Sequence, residues 1–406
     1  MPEDPPESPE AGSRNIRVFG FTSFFNDTAT EMAYWVLPAF LASIGAGPAQ
    51  LGVIEGIAES VASFVQLFSG WLADRIPRRK PIVVSGYFVA NAVKPLLALV
   101  TSWWQVLAIR FADRFAKGMR GAPRDVMVAE SSTRLGSAYG FIQAMDSAGA
   151  VLGPLIALLL LPVYGLRGIF WAAAIPGFIC FVVALFGIRE VKRRNAVSPK
   201  ADDLSQRGLL ASSGKARFPA AFYYTLFVIT LFSLGNSSDM FLVLRAQNVG
   251  IPVTRAPLLG LIFNITYTLF SWPAGHLSDK LSRRKIAASG YMVFAVVYFA
   301  FALAPARSTI WAAMAFYGLF YALTNPVLKA LVVESVAKDV RGRALGVYSF
   351  ATSVAILLAS LITGELWKYC GARIPFYVSA AIAAISAVLL LLAPGVRAVT
   401  RANSPA

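Results

Sequence analysis

The chain has 406 residues, of which 57% are hydrophobic and 14% charged, with a mean hydropathy of +0.62. A soluble chain would carry about a quarter charged residues, so this composition is that of a polytopic membrane protein. Two cysteines, Cys180 and Cys370, exclude a disulfide framework. A single histidine, His276, argues against a histidine-based metal site or catalytic triad.

In chain order, the acidic, Pro-rich start MPEDPPESPEAGSR has no basic region leading into an apolar core. It reads as a disordered tail over 1–17, not as a cleaved signal. Twelve apolar segments follow, each near the ~20 residues a spanning helix needs. They are Val18–Ser43, Leu51–Ala73, Pro81–Val100, Trp104–Ala129, Ser137–Val163 and Gly168–Ile188, then Phe218–Leu244, Pro257–His276, Ile286–Ala304, Thr309–Val333, Ala344–Leu366 and Ile374–Ala393. The polar stretch 189–217 between them reads as a flexible linker. The expected fold is therefore an all-α membrane protein of twelve transmembrane helices. Its domains are a six-helix bundle over 18–188, a second over 218–394 and a short tail over 395–406.

The net charge of +16 would suggest nucleic acid in a soluble protein. Its placement says otherwise. With the N-terminus inside, 24 of the 37 Lys and Arg residues fall in inside segments, six in outside segments and seven within spans. This bias predicts cytoplasmic termini and accounts for most of the basic excess, so no nucleic-acid partner is expected.

The fourth segment is the unusual one. It carries Arg110, Asp113, Arg114, Lys117, Arg120, Arg124 and Asp125. A charge near the bilayer centre costs at least ~2.5–3.5 kcal/mol, so these groups cannot face lipid. At about 100° per residue all seven lie within an arc of about 140°. The segment is thus a helix with one polar stripe facing protein or water. Three readings are open for the stripe: an anion-binding surface, local pairing such as Asp113–Lys117 at i,i+4, and structural pairs with acids on other helices. The spans also hold Asp27, Glu31, Glu55, Glu59, Asp146 and Asp239, so much pairing is expected. Arg110, Arg114 and Lys117 lie deep and suit a substrate. Arg120, Arg124 and Asp125 lie nearer the cytoplasmic end and suit gating.

Asp27 and Glu31 share a face of the first helix. A carboxyl group in a partly dry cavity can take up and release a proton, which makes this pair the leading candidate for proton coupling. Their alternative is a fixed salt bridge to the fourth-helix stripe. The corresponding place in the seventh segment offers Asn236 for substrate and Asp239 for protons. Glu55 and Glu59 read as a solvated outer vestibule or an outer gate. No phosphate-binding glycine loop is visible, so no cofactor is expected and energy would come from a gradient.

The halves repeat. Gly70-Trp-Leu-Ala-Asp74-Arg75-Ile-Pro-Arg78-Arg79-Lys80 returns as Gly275-His-Leu-Ser-Asp279-Lys280-Leu-Ser-Arg283-Arg284-Lys285, Ser85-Gly86-Tyr87 as Ser289-Gly290-Tyr291, and Glu130-Ser131 as Glu334-Ser335. Registered repeats of this kind imply two pseudo-symmetric bundles around a central pathway. The first of these stretches resembles the cytoplasmic-loop signature of the major facilitator superfamily, with Pro77 in place of the usual glycine. Arg114-Phe-Ala-Lys-Gly118 resembles its fourth-helix signature. Gly149-x-x-x-Gly153-Pro154 resembles its fifth-helix antiporter signature, incomplete because Ala157 and Leu158 stand where glycines are expected.

The resemblance spans about Val18 to Ala393. It implies alternating access, with helices 1, 4, 7 and 10 lining a cavity. It further implies that Asp74, Arg78 and Arg79, with Asp279, Arg283 and Arg284 in the second half, form gating latches, and that Asn325 and Lys329 on the tenth helix face the substrate. The expected protein is not an enzyme. It is a monomeric secondary transporter of a plasma membrane, bacterial inner membrane above all, moving a small anionic or zwitterionic organic solute with protons. The incomplete antiporter signature leans towards export. The rivals are a uniporter, a lipid flippase and a receptor that signals without turnover.

Overall fold

The computed structural model describes residues 9–76, 78–131, 135–190, 218–336 and 341–392. All but the first two residues of the expected linker 189–217 and the whole of the expected tail 395–406 lie outside them. All regular elements among the described residues are helices. α1 (Pro9–Tyr34) and α2 (Leu37–Ser43) form one rod, bent at Trp35–Val36. α3 (Pro48–Arg75) follows, then α4 (Lys80–Ala92) with a 3-10 turn at Pro95–Ala98, and α5 (Trp103–Glu130). α6 (Leu135–Ala172) is broken at Gly165, whose φ of 65° reverses the chain, and leads into α7 (Ala174–Gly187). In the second half come α8 (Ala220–Gly235), α9 (Met240–Asn248), α10 (Ala256–Lys280), α11 (Arg283–Leu303), α12 (Arg307–Glu334), α13 (Arg341–Cys370) and α14 (Ile374–Leu392). These follow the twelve expected segments in order. Seven stretches among the described residues are long and apolar enough to cross a membrane by composition alone. α5 is not one of them, because its charges lower its hydropathy although its length suffices.

One boundary differs from expectation. α1 begins at Pro9, so part of the stretch read as disordered is helical. Asn15 explains why: its side-chain amide donates to Ser131 Oγ (3.3 Å) and to the Arg189 carbonyl (3.1 Å), and its oxygen accepts from the Arg189 N–H (3.0 Å). Three long-range bonds tie this turn to the ends of α5 and α7, where composition alone reads as a tail. Glu190, at the start of the expected linker, accepts from the N–H groups of Arg79 and Lys80 and so caps α4.

The repeat is visible in the contacts. Arg79 pairs with Glu130 at 2.6 Å, and Arg283 pairs with Glu334 across the same sequence separation of 51 residues. Both pairs lie at the end of the molecule where α1 begins and α14 ends, called here the terminal face.

The two halves meet at the opposite, distal face. α3 packs along α13 there: a Cβ on Gly364 would stand 2.7 Å from the Pro48 carbonyl, and one on Gly52 would strike the Ser360 carbonyl. Further in, Ser60 donates to the Ser353 carbonyl, and Phe64 meets Phe350 edge-on at 5.5 Å. Asn264 on α10 donates to the Ala150 carbonyl on α6. The core follows the same division. One buried apolar cluster runs from Trp35, Phe40 and Ile54 into Phe222, Phe241 and Met314, joining the halves. A second cluster, with Phe19, Val83, Tyr87 and Met127, stays within the first half.

Candidate functional site

A polar cavity of about 220 Å³ lies within the first half. α1 contributes Ser23, Asn26, Asp27 and Thr30 to its wall. α3 contributes Gln66, α4 Tyr87 and α6 Asp146. α5 supplies the largest share, including Arg114, Lys117, Arg120 and Arg124. α5 can present this stripe because its start is well specified. The Gln105 side chain accepts from the N–H groups of Thr101 and Ser102, orienting the first turn.

Cross-helix pairing accounts for much of the stripe. Arg110 donates to Glu55 through Nε (2.9 Å) and Nη2 (2.7 and 3.0 Å), with Glu55 fully buried. Asp113 lies 3.7 Å from Arg110 and 3.9 Å from Lys94, whose ammonium donates to Asn91. Arg114 pairs with Glu59 at 3.0 Å. Arg124 donates twice to Asp125. Arg120 lies 4.3 Å over the Tyr87 ring and donates to the Gly86 carbonyl at 3.5 Å. Asp113 therefore faces Lys94 and Arg110, not Lys117. Lys117 is exposed to the cavity and has no ion pair within 4 Å among the described residues.

Of the two expectations for Glu55, a solvated outer vestibule or an outer gate, the first fails. Glu55 does not line a solvated vestibule, because the forked Arg110 guanidinium encloses it and Ser238 Oγ donates to it at 3.3 Å from the second half. Arg110 consequently lies off the main cavity, against a smaller pocket beside Tyr34 and Lys94.

The two acids of α1 separate in role. Asp27 lines the cavity and accepts from Asn26 Nδ2 (3.0 Å). Glu31, one turn further towards the distal face, accepts from the Trp35 indole N–H (2.7 Å). Among the described residues neither takes part in an ion pair within 4 Å, so the fixed salt bridge to the stripe does not form.

In the second half α8 and α9 make up the seventh rod, which unwinds between them over residues 236–239. Asp239 there accepts from the Tyr317 hydroxyl (2.6 Å) and the Tyr321 hydroxyl (3.2 and 3.3 Å), both on α12. Asn236 Oδ1 is buried without a partner, and Asn325 is exposed on α12. Neither lines the cavity. The side chains of Lys329, Asp74 and Asp279 lie outside the described residues. Arg78 is exposed, Arg79 and Arg283 hold the repeat-related pairs described above, and Arg284 is half-buried beside them.

Asp146, on α6, is a cavity residue that the sequence reading does not single out from the other acids. A signal was available: with Gly149 and Gly153 it forms an i, i+3, i+7 face, and a Cβ on Gly153 would stand 2.6 Å from the Thr28 carbonyl. That face packs on α1, beside Asp27.

Comparison with known proteins agrees with this architecture. A family model described as Major Facilitator Superfamily matches residues 19–245 and 225–406. An uncharacterized MFS-type transporter of Methanocaldococcus jannaschii is 33% identical over 392 residues, covering 93% of this chain and 94% of its own. The multidrug resistance protein MdtG of Dickeya zeae is 26% identical, covering 92% and 93%. Among solved structures, a variant of the nucleoside transporter NupG superposes with a TM-score of 0.77 at 14% identity, over 94% of this chain and all of that one. A D-xylose–proton symporter gives 0.71 at 15% identity, over 96% and 98%. These two show the fold. Helical architecture, registered repeats and family match together establish that the chain belongs to the Major Facilitator Superfamily, as a multi-pass membrane transport protein and not an enzyme.

Proposed function

We propose that the protein is a secondary transporter that moves a small organic solute by alternating access, coupled to protons, as a monomer in a plasma membrane. The distribution of Lys and Arg makes the terminal face cytoplasmic. The distal closure of α3 on α13 then corresponds to an inward-facing state, with the polar cavity on the cytoplasmic side of that seal. Export is the favoured direction, supported by the incomplete fifth-helix signature and by the likeness to a protein named for multidrug resistance.

The observation that carries the coupling is that, among the described residues, neither Asp27 nor Glu31 has an ion pair within 4 Å. A coupling group must change charge during the cycle. Glu55, Glu59 and Asp113 cannot do so without stranding a paired base. Asp27 and Glu31 can, since their contacts are neutral donors. Asp239, held by two tyrosine hydroxyls, is the third candidate. Lys117, and Arg114 beside it, are the groups placed to hold an anionic part of the solute. Arg79–Glu130 and Arg283–Glu334 each brace the terminal end of one half, so that each half can move as a unit while that face opens and closes.

The test is solute-evoked proton flux in proteoliposomes with a trapped pH-sensitive dye, scanned over amino acids, carboxylates and amines. Asp27→Asn or Glu31→Gln should abolish accumulation driven by a pH gradient while preserving solute counterflow. Transport of a solute with no accompanying proton movement in the wild type would instead make the protein a uniporter.

A further inference from the structure

Not all of the cavity's charges are paired with one another, and the unpaired ones specify a ligand. Arg114 is committed to Glu59, Arg124 to Asp125, and Asp113 to Lys94 and Arg110. Among the described residues four lining groups have no ion pair: Lys117 and Arg120 on α5, Asp27 on α1 and Asp146 on α6. Arg120 lies over the Tyr87 ring and donates to the Gly86 carbonyl. Lys117, Asp27 and Asp146 line the same space without such a contact to a base or acid.

A second observation comes from hydrogen bonding. Arg114 Nε is buried in the cavity wall without a hydrogen-bond partner, in a residue only 5% exposed. Leaving a buried donor of a charged group unpaired is costly, so this N–H marks a place that an acceptor completes. Arg114 lies one turn from Lys117, and Ser23 lies beside Asp146. Each sign of the cavity thus has a polar side chain next to its charge.

We propose that this cavity recognises a dipolar solute, an organic molecule with a cationic and an anionic group, with Asp146 as the cation-binding residue and Lys117 as the anion-binding residue. The inference rests on the cavity being the transport site. Asp27 and Asp146 line the same space, so one proton held between them leaves the bound solute facing one carboxylate and the Lys117 ammonium. A purely anionic solute would meet Asp146 with like charge, and a purely cationic one would leave Lys117 unpaired beside it. Both mismatches cost affinity, and the dipolar solute avoids both.

The test uses three compounds of one chain length, 5-aminopentanoate, glutarate and cadaverine, in thermal-shift and calorimetric titrations of the full-length protein in detergent. The wild type should bind 5-aminopentanoate at least about tenfold more tightly than either of the others. Lys117→Gln should move the preference to cadaverine and Asp146→Asn to glutarate, with unliganded melting measured to confirm that each variant is folded. The wild-type comparison stands if a variant fails to fold. Equal or tighter binding of glutarate or cadaverine, or binding of none of the three, overturns the proposal. Proton-coupled flux of glutarate alone would overturn it while leaving the transport reading intact. Selective binding and transport of 5-aminopentanoate without proton flux would leave this proposal intact and overturn the proton coupling.

Discussion

Glu55 is the position at which stability and conformational state are most tightly linked. Its carboxylate is fully buried, receives three hydrogen bonds from Arg110 and receives a fourth from Ser238 across the interface between halves. Removing one partner of such a pair leaves an uncompensated buried charge and typically costs ~3–5 kcal/mol. Two features lower that here. Glutamine keeps one acceptor oxygen, and Asp113 remains 3.7 Å from Arg110. We expect Glu55→Gln to cost ~2–4 kcal/mol. Glu59→Gln is the control. Glu59 also faces an arginine, Arg114, but its side chain is 42% exposed, so solvent screens the pair and the loss should be ~1 kcal/mol or less.

The assay is the melting midpoint of each purified variant, followed by a double-mutant cycle with Arg110→Met. The double variant should be much less damaged than the sum of the singles, because no charge is then stranded. Because Ser238 belongs to the second half, Glu55→Gln should also loosen the distal seal. Spin labels at Ser43→Cys and the native Cys370, both exposed at that face, would report a longer distance population. Equal destabilisation by Glu59→Gln, or a Glu55→Gln variant that melts with the wild type, would refute the reasoning.

Other expectations follow from particular contacts. Gly52→Val and Gly364→Val should shift the same spin-label distance outward, since each side chain would meet backbone of the opposing helix; an unchanged distance would mean that α3 and α13 do not seal this face. Asn15→Ala removes three long-range hydrogen bonds at the start of α1 and should lower the melting midpoint by an amount equivalent to ~1–3 kcal/mol. Tyr317→Phe removes the shorter donor to Asp239, and together with Tyr321→Phe should slow coupled flux more than counterflow. Equal slowing of both would place Asp239 outside the coupling step.

Much of the architecture was legible in the sequence because the membrane imposes a one-dimensional rule. Spanning helices must be long and apolar, so their order shows in hydropathy. The repeat showed in the Asp74 and Asp279 loops, and the polar stripe of α5 in its helical period. These features depend on neighbours in sequence. Partners do not. The stripe offered Lys117 to Asp113 at i,i+4, yet Asp113 faces Lys94 and Arg110, because α4 brings Lys94 against the same side of α5. Glu55 and Glu59, one turn apart, looked alike; the packing of α13 and the unwound seventh rod buried one and left the other half in water. Asp146 gained importance only when α6 laid its glycine face on α1. The sequence by itself determined that charges must be hidden from lipid and on which helix faces they lie. Only the tertiary structure decided which of them neutralise one another and which remain for a ligand, because an ion pair is set by distances of a few Å between helices far apart in the chain.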